Sequence, residues 1–185
     1  DGRRSGAKWK AERIHSAKNM EGVIHGDLDG DGDDDILVNH WAPVPGQGMT
    51  WIEHVDQAPW LVEHVIGTDG EHHGNGLGDI NGDGRNDVVT PRGWYEAPAD
   101  PRNGQWTFHA DYLVHRVGQP EQPIAASHPM LVHDVNGDKR ADIIVGASHE
   151  YGLAWLEQKV AADGKRTFET HWAETDFGQF HTMAL

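Results

Sequence analysis

Short apolar segments alternate along the chain with clusters of glycine, proline, aspartate and asparagine. DILV from Asp35, DVVT from Asp87 and DIIV from Asp142 are examples, and turn-forming residues bound each of them. No stretch has a convincing helical period, whereas short apolar or alternating runs between turn residues are typical of strands. The pattern predicts an all-β protein.

The segments belong to a repeat that is marked by three similar loops. Their first aspartates, Asp27, Asp79 and Asp134, are 52 and 55 residues apart. Two further apolar segments follow each loop: first WIE, WYE or WLE, and then WLVEHVIG, WTFHADYL or FETHWAET. Four strand-like segments in a unit of about 50 residues are typical of one blade of a β-propeller.

The repeat predicts a partial β-propeller of about three four-stranded antiparallel blades with flanking strands, as a single segment over residues 1–185. Residues 9–20 would form the last strand of a preceding blade, and residues 179–185 the first strand of a following one. The blades would span residues 21–70, 71–125 and 126–178. Because propellers close with about four to eight blades, we expect the rest of a larger propeller as a partner.

Composition narrows the range of partners. The formal charge is −15, which disfavours nucleic acid and anionic membranes, and no apolar run is long enough to insert into a membrane. The chain has no cysteine, which excludes disulfides, thiolate catalysis and cysteine-based zinc sites. Twelve of the 30 acidic residues lie in the three loops, so the charge is concentrated rather than spread over a solvated face.

The loops share the spacing Asp-x-Asp/Asn-x-Asp-x-x-x-Asp, which suits a hard cation. Calcium takes about six to eight oxygen ligands, and alternate residues of a tight turn can supply them. Common hairpin turns would explain one such loop, but not three in register with a repeat. The third loop has Lys139 where the others have Gly32 and Gly84. A non-glycine residue at positive φ costs about 1 kcal/mol there.

The loop GDINGDGRNDVV resembles the FG-GAP or VCBS repeat of integrin-α-like β-propellers. The resemblance covers about residues 9–185 and implies three structural calcium ions and a propeller of seven blades. Position seven of each loop would contribute a backbone carbonyl. The implied ligands are Asp27, Asp29, Asp31, Asp33 (carbonyl) and Asp35; Asp79, Asn81, Asp83, Arg85 (carbonyl) and Asp87; and Asp134, Asn136, Asp138, Arg140 (carbonyl) and Asp142.

A second register lies six residues before each loop. Glu21 and His73 occupy this position, as do His128 and, in the following unit, His181. In a propeller the first strands are innermost, so these side chains could ring the mouth of the channel and bind Zn²⁺, Mn²⁺ or Fe²⁺. The alternative is that they are structural or exposed histidines. Other candidate ligands are His25, His72, His133, His40 and His149.

Two classes of function remain open. The first is a calcium-stabilised module that binds a carbohydrate or protein ligand through loops such as GWYEAPADPRNGQ and HRVGQPEQPIAASHP. The second is part of a metal-dependent carbohydrate lyase or dehydratase acting by β-elimination, with Tyr95, Arg92 or His149 as the base. This combination is similar to the propeller portion of aldos-2-ulose dehydratases, which carries zinc. Because such loops suit millimolar calcium, we expect an extracytoplasmic location.

Overall fold

A computed structural model of the protein describes Arg13 and residues 19–41, 48–69 and 73–185. These residues form 14 β-strands in four antiparallel sheets and contain no helix. The all-β prediction is therefore confirmed. In this part of the chain no helix is present that could span a membrane. The strand predicted within residues 9–20 lies outside the described residues except at its end, and His72 also lies outside them.

Three sheets have four strands each, and each sheet follows the order of the chain. Sheet 1 contains β1 (Met20–Gly26), β2 (Asp35–His40), β3 (Met49–His54) and β4 (Leu61–Gly67). Sheet 2 contains β5 (Gly76–Gly78), β6 (Asp87–Thr90), β7 (Gly93–Glu96) and β8 (Thr107–His109). A hairpin follows, with β9 (His115–Arg116) and β10 (Gln119–Pro123). Sheet 3 contains β11 (Leu131–His133), β12 (Asp142–Gly146), β13 (Tyr151–Val160) and β14 (Arg166–Gly178).

The first two strands of each four-stranded sheet pair in the same register. The last residue of the first strand lies opposite the aspartate that begins the second, which gives the pairs Gly26–Asp35, Gly78–Asp87 and His133–Asp142. Each acidic loop is therefore the connection of a β-hairpin. Its ninth position is held at the start of the second strand.

Sheet 2 lies between the other two sheets and is buried on both faces. Val88 and Tyr95 pack in one cluster with side chains of sheet 1, whereas the adjacent Val89 and Trp94 pack in a second cluster with side chains of sheet 3. Successive side chains of a strand point to opposite faces, so a strand covered on both sides is apolar throughout. This explains why DVVT does not alternate.

Equivalent tryptophans of the three sheets differ in burial. Trp51 in sheet 1 and Trp94 in sheet 2 are both fully buried in the clusters between sheets. Trp155 occupies the same position in sheet 3 and is only half-buried. Within the described residues, no further sheet packs on the face that carries Trp155.

The first strands of neighbouring sheets approach one another closely, and glycine permits the contact. A Cβ at Gly78 would lie 2.6 Å from the Cβ of Val132 on β11. A Cβ at Gly26 would lie 2.6 Å from the Cδ2 of Leu77 on β5. Gly26 and Gly78 hold equivalent positions, so sheet 1 packs on sheet 2 in the way that sheet 2 packs on sheet 3.

Two segments differ from the sequence predictions. The segment HRVGQPEQPIAASHP was expected to be a contact loop, but it contains the hairpin of β9 and β10, and Ile124 and Ala126 are buried in the core. Residues 179–185 form no strand. Instead, the Phe180 N–H donates to Ala147 O, and His181 O accepts from the His128 N–H. These partners lie in irregular segments, so no ladder forms.

The Gly78→Ala variant should be less stable than wild type by about 1–3 kcal/mol, the usual cost of overpacking a rigid contact. Gly26→Ala should cost less, because Leu77 Cδ2 is the end of a flexible side chain and can move away. Urea unfolding followed by tryptophan fluorescence measures both free energies. Equal losses in the two variants would contradict this account of the close approach.

Candidate metal centres

The first acidic loop folds around the carboxylates of its own aspartates. Asp27 accepts from the N–H groups of Gly30 and Gly32 at 2.7 and 3.1 Å. Asp29 Oδ1 accepts from the Asp31 N–H at 3.2 Å, and Asp31 Oδ1 accepts from the Asp33 N–H at 3.0 Å. Each carboxylate therefore closes a tight turn, and the Oδ2 atoms of Asp29 and Asp31 take no part in these turns.

The same hydrogen bonds recur in the other two loops. In each loop the first position accepts from the N–H groups of the fourth and sixth positions, the third accepts from the fifth, and the fifth accepts from the seventh. The acceptors are Asp79, Asn81 and Asp83 in the second loop and Asp134, Asn136 and Asp138 in the third. One backbone geometry thus holds these side chains in all three loops, but among the described residues only the first loop brings three of its own carboxylates within 4.8 Å of one another.

The ninth-position aspartates are buried and join the loop to the third strand. Asp35 accepts from the N–H groups of Leu28 and His54. Asp87 accepts from Ile80 and Ala97, and Asp142 from Val135 and Gln158, at equivalent positions. Burial raises the pKa of all three carboxyl groups, in the case of Asp87 to about 6. A nearby cation would favour the ionised form and oppose this rise.

Positive φ angles occur at the fourth and sixth positions of every loop. Glycine occupies five of these six positions, and Lys139 occupies the sixth position of the third loop with a φ of 69°. The prediction that Lys139 adopts a positive φ is confirmed. Its N–H donates to Asp134 at 2.9 Å, as the equivalent Gly84 N–H does to Asp79. The lysine therefore accepts backbone strain to keep the loop unchanged.

The first loop has the most concentrated negative charge. Oxygens of Asp27, Asp29 and Asp35 lie within 4.8 Å of one another, close enough to hold one metal ion. The Asp29 side chain is fully buried, and burial together with the Asp35 charge raises its pKa to about 6. A cavity of about 90 Å³ lies between the first and second loops, with Asp27 and Asp29 on one side and Arg85 and Asn86 on the other.

The other two loops carry less charge. Asparagine replaces aspartate at their third position, and an arginine at the seventh, Arg85 or Arg140, pairs with Asp83 or Asp138 of the same loop. The side-chain amides of Asn81 and Asn136 donate to the same fifth-position carboxylates. These two loops therefore have fewer carboxylates and more neutral oxygens than the first loop.

Histidines and a glutamate form a second centre where the three sheets meet. Oxygen and nitrogen atoms of Glu21, His149 and His181 lie within 4.8 Å of one another. His73 joins this group, with its Nε2 2.6 Å from a Glu21 oxygen and 3.2 Å from His149 Nε2. Of the four predicted channel ligands, Glu21, His73 and His181 are thus brought together. His149, a weaker candidate in the sequence, completes the group.

The tautomer of His73 is fixed by its other nitrogen. His73 Nδ1 lies 2.7 Å from Ala126 O, and a carbonyl can only accept, so Nδ1 carries a proton. In the neutral ring Nε2 is then a lone pair that faces the Glu21 carboxylate. At 2.6 Å the two atoms are at hydrogen-bond distance, and they would have to move apart to share a metal ion, since tetrahedral ligands at about 2.0–2.2 Å from zinc lie about 3.3 Å from each other. A histidine that donates one N–H to a backbone carbonyl is the usual arrangement at metal sites.

His128, the remaining predicted ligand, packs against β1. Its ring lies so close to Gly22 that a Cβ there would be 2.3 Å from His128 Cδ2. Both ring nitrogens are buried, and the backbone of Val23 on β1 is next to the ring. Burial lowers the pKa of His128, so the neutral ring is favoured.

The second centre opens on a cavity of about 650 Å³. Glu21, His73 and His149 line one part of it, and Arg116 and Trp41 line others. Of the three candidate bases only His149 lies here, because Tyr95 is buried between sheets 1 and 2 and Arg92 is on the surface. A ligand in this cavity would meet the side chains of Glu21, His73 and His149 directly.

One recurrent contact was not predicted from the sequence. In each four-stranded sheet a tryptophan of the third strand stacks on the histidine opposite it in the fourth, with ring centroids 4.3 to 4.6 Å apart. The same histidine bonds to a glutamate two residues after the tryptophan. The trios are Trp51, Glu53 and His64; Trp94, Glu96 and His109; and Trp155, Glu157 and His171. The sequence signal for this contact was the repeated W-x-E segment together with a histidine in the apolar segment that follows it.

Comparison of the chain with protein-family models, curated proteins and solved structures gave no match.

Exchanging residues between the second and third loops should change stability in opposite directions. Lys139→Gly should stabilise the protein, by about 1 kcal/mol at most, because it removes the strain at positive φ. Gly84→Lys should destabilise it by about 1–2 kcal/mol, although a side chain there meets no atom within 4 Å. Thermal unfolding measured in excess calcium tests both, and a stabilising Gly84→Lys would contradict the assignment of strain.

Proposed function

We propose that the chain is part of an extracytoplasmic FG-GAP-like β-propeller that calcium stabilises and that binds a carbohydrate or protein ligand. The observation that carries this proposal is the hydrogen-bond network of the three loops, which recurs position by position. Chance turns would not repeat it in three sheets that also stack in the same way. In the propeller, further sheets would cover the exposed face around Trp155.

In this proposal calcium has a structural role. Side-chain oxygens from the first, third, fifth and ninth positions would hold each ion, and the carbonyls of Asp33, Arg85 and Arg140 would contribute as the family resemblance implies. The ninth-position aspartates already bond to the third strand. An ion in the loop would therefore tie three strands of a sheet together and offset the repulsion among the carboxylates.

We further propose that Glu21, His73, His149 and His181 hold a transition metal, with His128 as an adjacent ligand. The fixed tautomer of His73 and the buried ring of His128, whose pKa burial lowers, support this assignment. Zinc or manganese is the expected ion, since imidazole and carboxylate suit both. Bound there, the ion would supply a Lewis acid at the floor of the cavity.

Calcium should stabilise the protein measurably. Ligand that binds only the folded state adds about 2.7 kcal/mol at a hundredfold excess over Kd. Purified chain should therefore melt several degrees lower in a calcium chelator than in millimolar calcium, and magnesium should not restore the difference. Differential scanning fluorimetry measures this shift. A melting temperature indifferent to the chelator would refute the calcium proposal.

The second centre should bind about one transition-metal ion per chain. After incubation with Zn²⁺ and desalting, elemental analysis should find that ion in wild type and in His25→Ala, and should find much less in His149→Ala and His73→Ala. His25 is the matched control because it pairs with Asp34 on the surface, away from the centre. Equal zinc in all four proteins would show that only a proton joins His73 to Glu21.

A carbohydrate lyase is the second candidate function, in which His149 would act as the base rather than as a metal ligand, and its position in the 650 Å³ cavity favours this role. In β-elimination a base removes the proton next to a carboxylate, the bond to the leaving oxygen breaks, and that oxygen takes a proton. No water is consumed, and the product contains a new C=C bond. Ultraviolet absorbance of unsaturated products from a uronate polysaccharide tests this activity, which His149→Ala should abolish. If the zinc-loaded protein forms no unsaturated product from such polymers, the lyase function is refuted and only the binding function remains.

A further inference from the structure

An arginine of sheet 2 enters the first acidic loop. Arg102 lies in residues 97–106, which connect β7 to β8. Its Nη2 is 2.6 Å from Asp29 Oδ2 and 2.7 Å from Asp31 Oδ2, and its Nε is 2.5 Å from Glu53 Oε1. One guanidinium therefore contacts three carboxylates of sheet 1.

The oxygens that Arg102 contacts are those that the loop leaves free. The Oδ1 atoms of Asp29 and Asp31 are used by backbone N–H groups within the loop, and the Oδ2 atoms are not. The Asp29 contact is an ion pair only, since Asp29 Oδ2 is buried and has no hydrogen-bond partner. A cation bound in the loop would need these same oxygens, so Arg102 and the cation compete.

We propose that Arg102 is a tethered cation that calcium displaces from the first loop, and that this exchange releases residues 98–105 from sheet 1. The inference rests on the proposed calcium sites. It adds that calcium would control the position of a segment that the sequence predicted to contact a ligand. The binding face would then differ between the calcium-free and the calcium-bound protein.

The first loop differs from the others in this respect. In the second and third loops the arginine that pairs with the fifth-position aspartate belongs to the loop itself, as Arg85 or Arg140. The first loop has Asp33 at that position, and its positive charge comes from another sheet. Only at the first loop would binding of an ion free a distant segment.

Most hydrogen bonds of residues 97–106 are internal to the segment, although Pro101 within it is buried and accepts from Trp106 Nε1. Ala97 and Trp106 anchor the ends of the segment in the core between sheets 1 and 2. Between them Asp100 accepts from the N–H groups of Arg102 and Asn103, and its carbonyl accepts from the Gly104 N–H. These bonds are internal to the segment, so losing the Arg102 ion pairs does not require the segment to unfold.

The test uses a spin label attached through the substitution Ala99→Cys. Position 99 is exposed within residues 97–106, and the chain has no other cysteine that could take the label. Calcium binding is measured by calorimetry and label mobility by electron paramagnetic resonance. In the wild-type background, calcium should mobilise the label. In Arg102→Gln the label should be mobile with or without calcium, and one site should bind calcium about tenfold more tightly, since a charge-assisted contact no longer opposes the ion. Arg140→Gln, which removes the equivalent charge at the third loop and has its contacts in sheet 3, should keep the wild-type response of the label.

The outcomes separate this proposal from the one on which it rests. If no calcium binds to wild type or to either variant, the proposed calcium sites are refuted, and the exchange with them. If calcium binds but the label stays immobile while Arg102 is present, the exchange alone is overturned. An affinity unchanged in Arg102→Gln would also overturn it.

Discussion

The interaction on which each sheet depends is that of a buried carboxylate with two backbone N–H groups. Asp35, Asp87 and Asp142 are almost completely buried, and each accepts one bond from the second residue of its loop and one from the third strand of its sheet. Burying an ionised carboxylate without such donors would be prohibitive. The two bonds hold the hairpin to its neighbour and fix where the second strand begins. They also orient the loop so that its remaining oxygens converge.

Hydrogen bonds within the protein determine the conformation of the loops independently of any ion. Each side-chain acceptor at the first, third and fifth positions satisfies N–H groups of the turn, and glycines allow the positive φ angles that those bonds require. The carboxylates nevertheless repel one another, and positive groups relieve this repulsion in the described residues. Arginine is the group in every loop, either from the loop itself or, in the first loop, from sheet 2. The residues that shape the loop backbone are thus different from the arginine that neutralises the carboxylates of the loop.

Much of the fold followed from the sequence because its signals are local. Four apolar segments per repeat predicted the strands of the sheets, and the spacing of Asp27, Asp79 and Asp134 identified three equivalent hairpins. The second centre was predicted in part, since Glu21, His73 and His181 share a register. His149 was ranked too low because it follows the second strand of its unit and reaches the centre only through the path of the connection to β13. Arg102 is 71 residues from Asp31 in the sequence and farther still from Asp29, so no periodic pattern predicts these contacts.

The apolar pattern of residues 179–185 predicted a strand that does not form, because a strand also needs a partner with free backbone N–H and C=O groups. Here the partners are turns beside Ala147 and His128. The hairpin of β9 and β10 was hidden for the opposite reason. Its prolines and glutamines are typical of a loop, yet its flanks are held by Val114 on one side and Ile124 and Ala126 on the other, all in the core. In both segments the environment, rather than composition, determined the backbone.

The difference in burial among the three equivalent tryptophans has a consequence for how further units could be added to such a protein. Trp51 and Trp94 each find cover in the unit that follows, while Trp155 offers the same indole surface to whatever comes next. Sheets 2 and 3 therefore each cover the sheet before them through the same kind of contact, so adding a further unit would demand no new kind of contact. A linear stack of this type always leaves one unmet surface, which disappears only when the last unit meets the first.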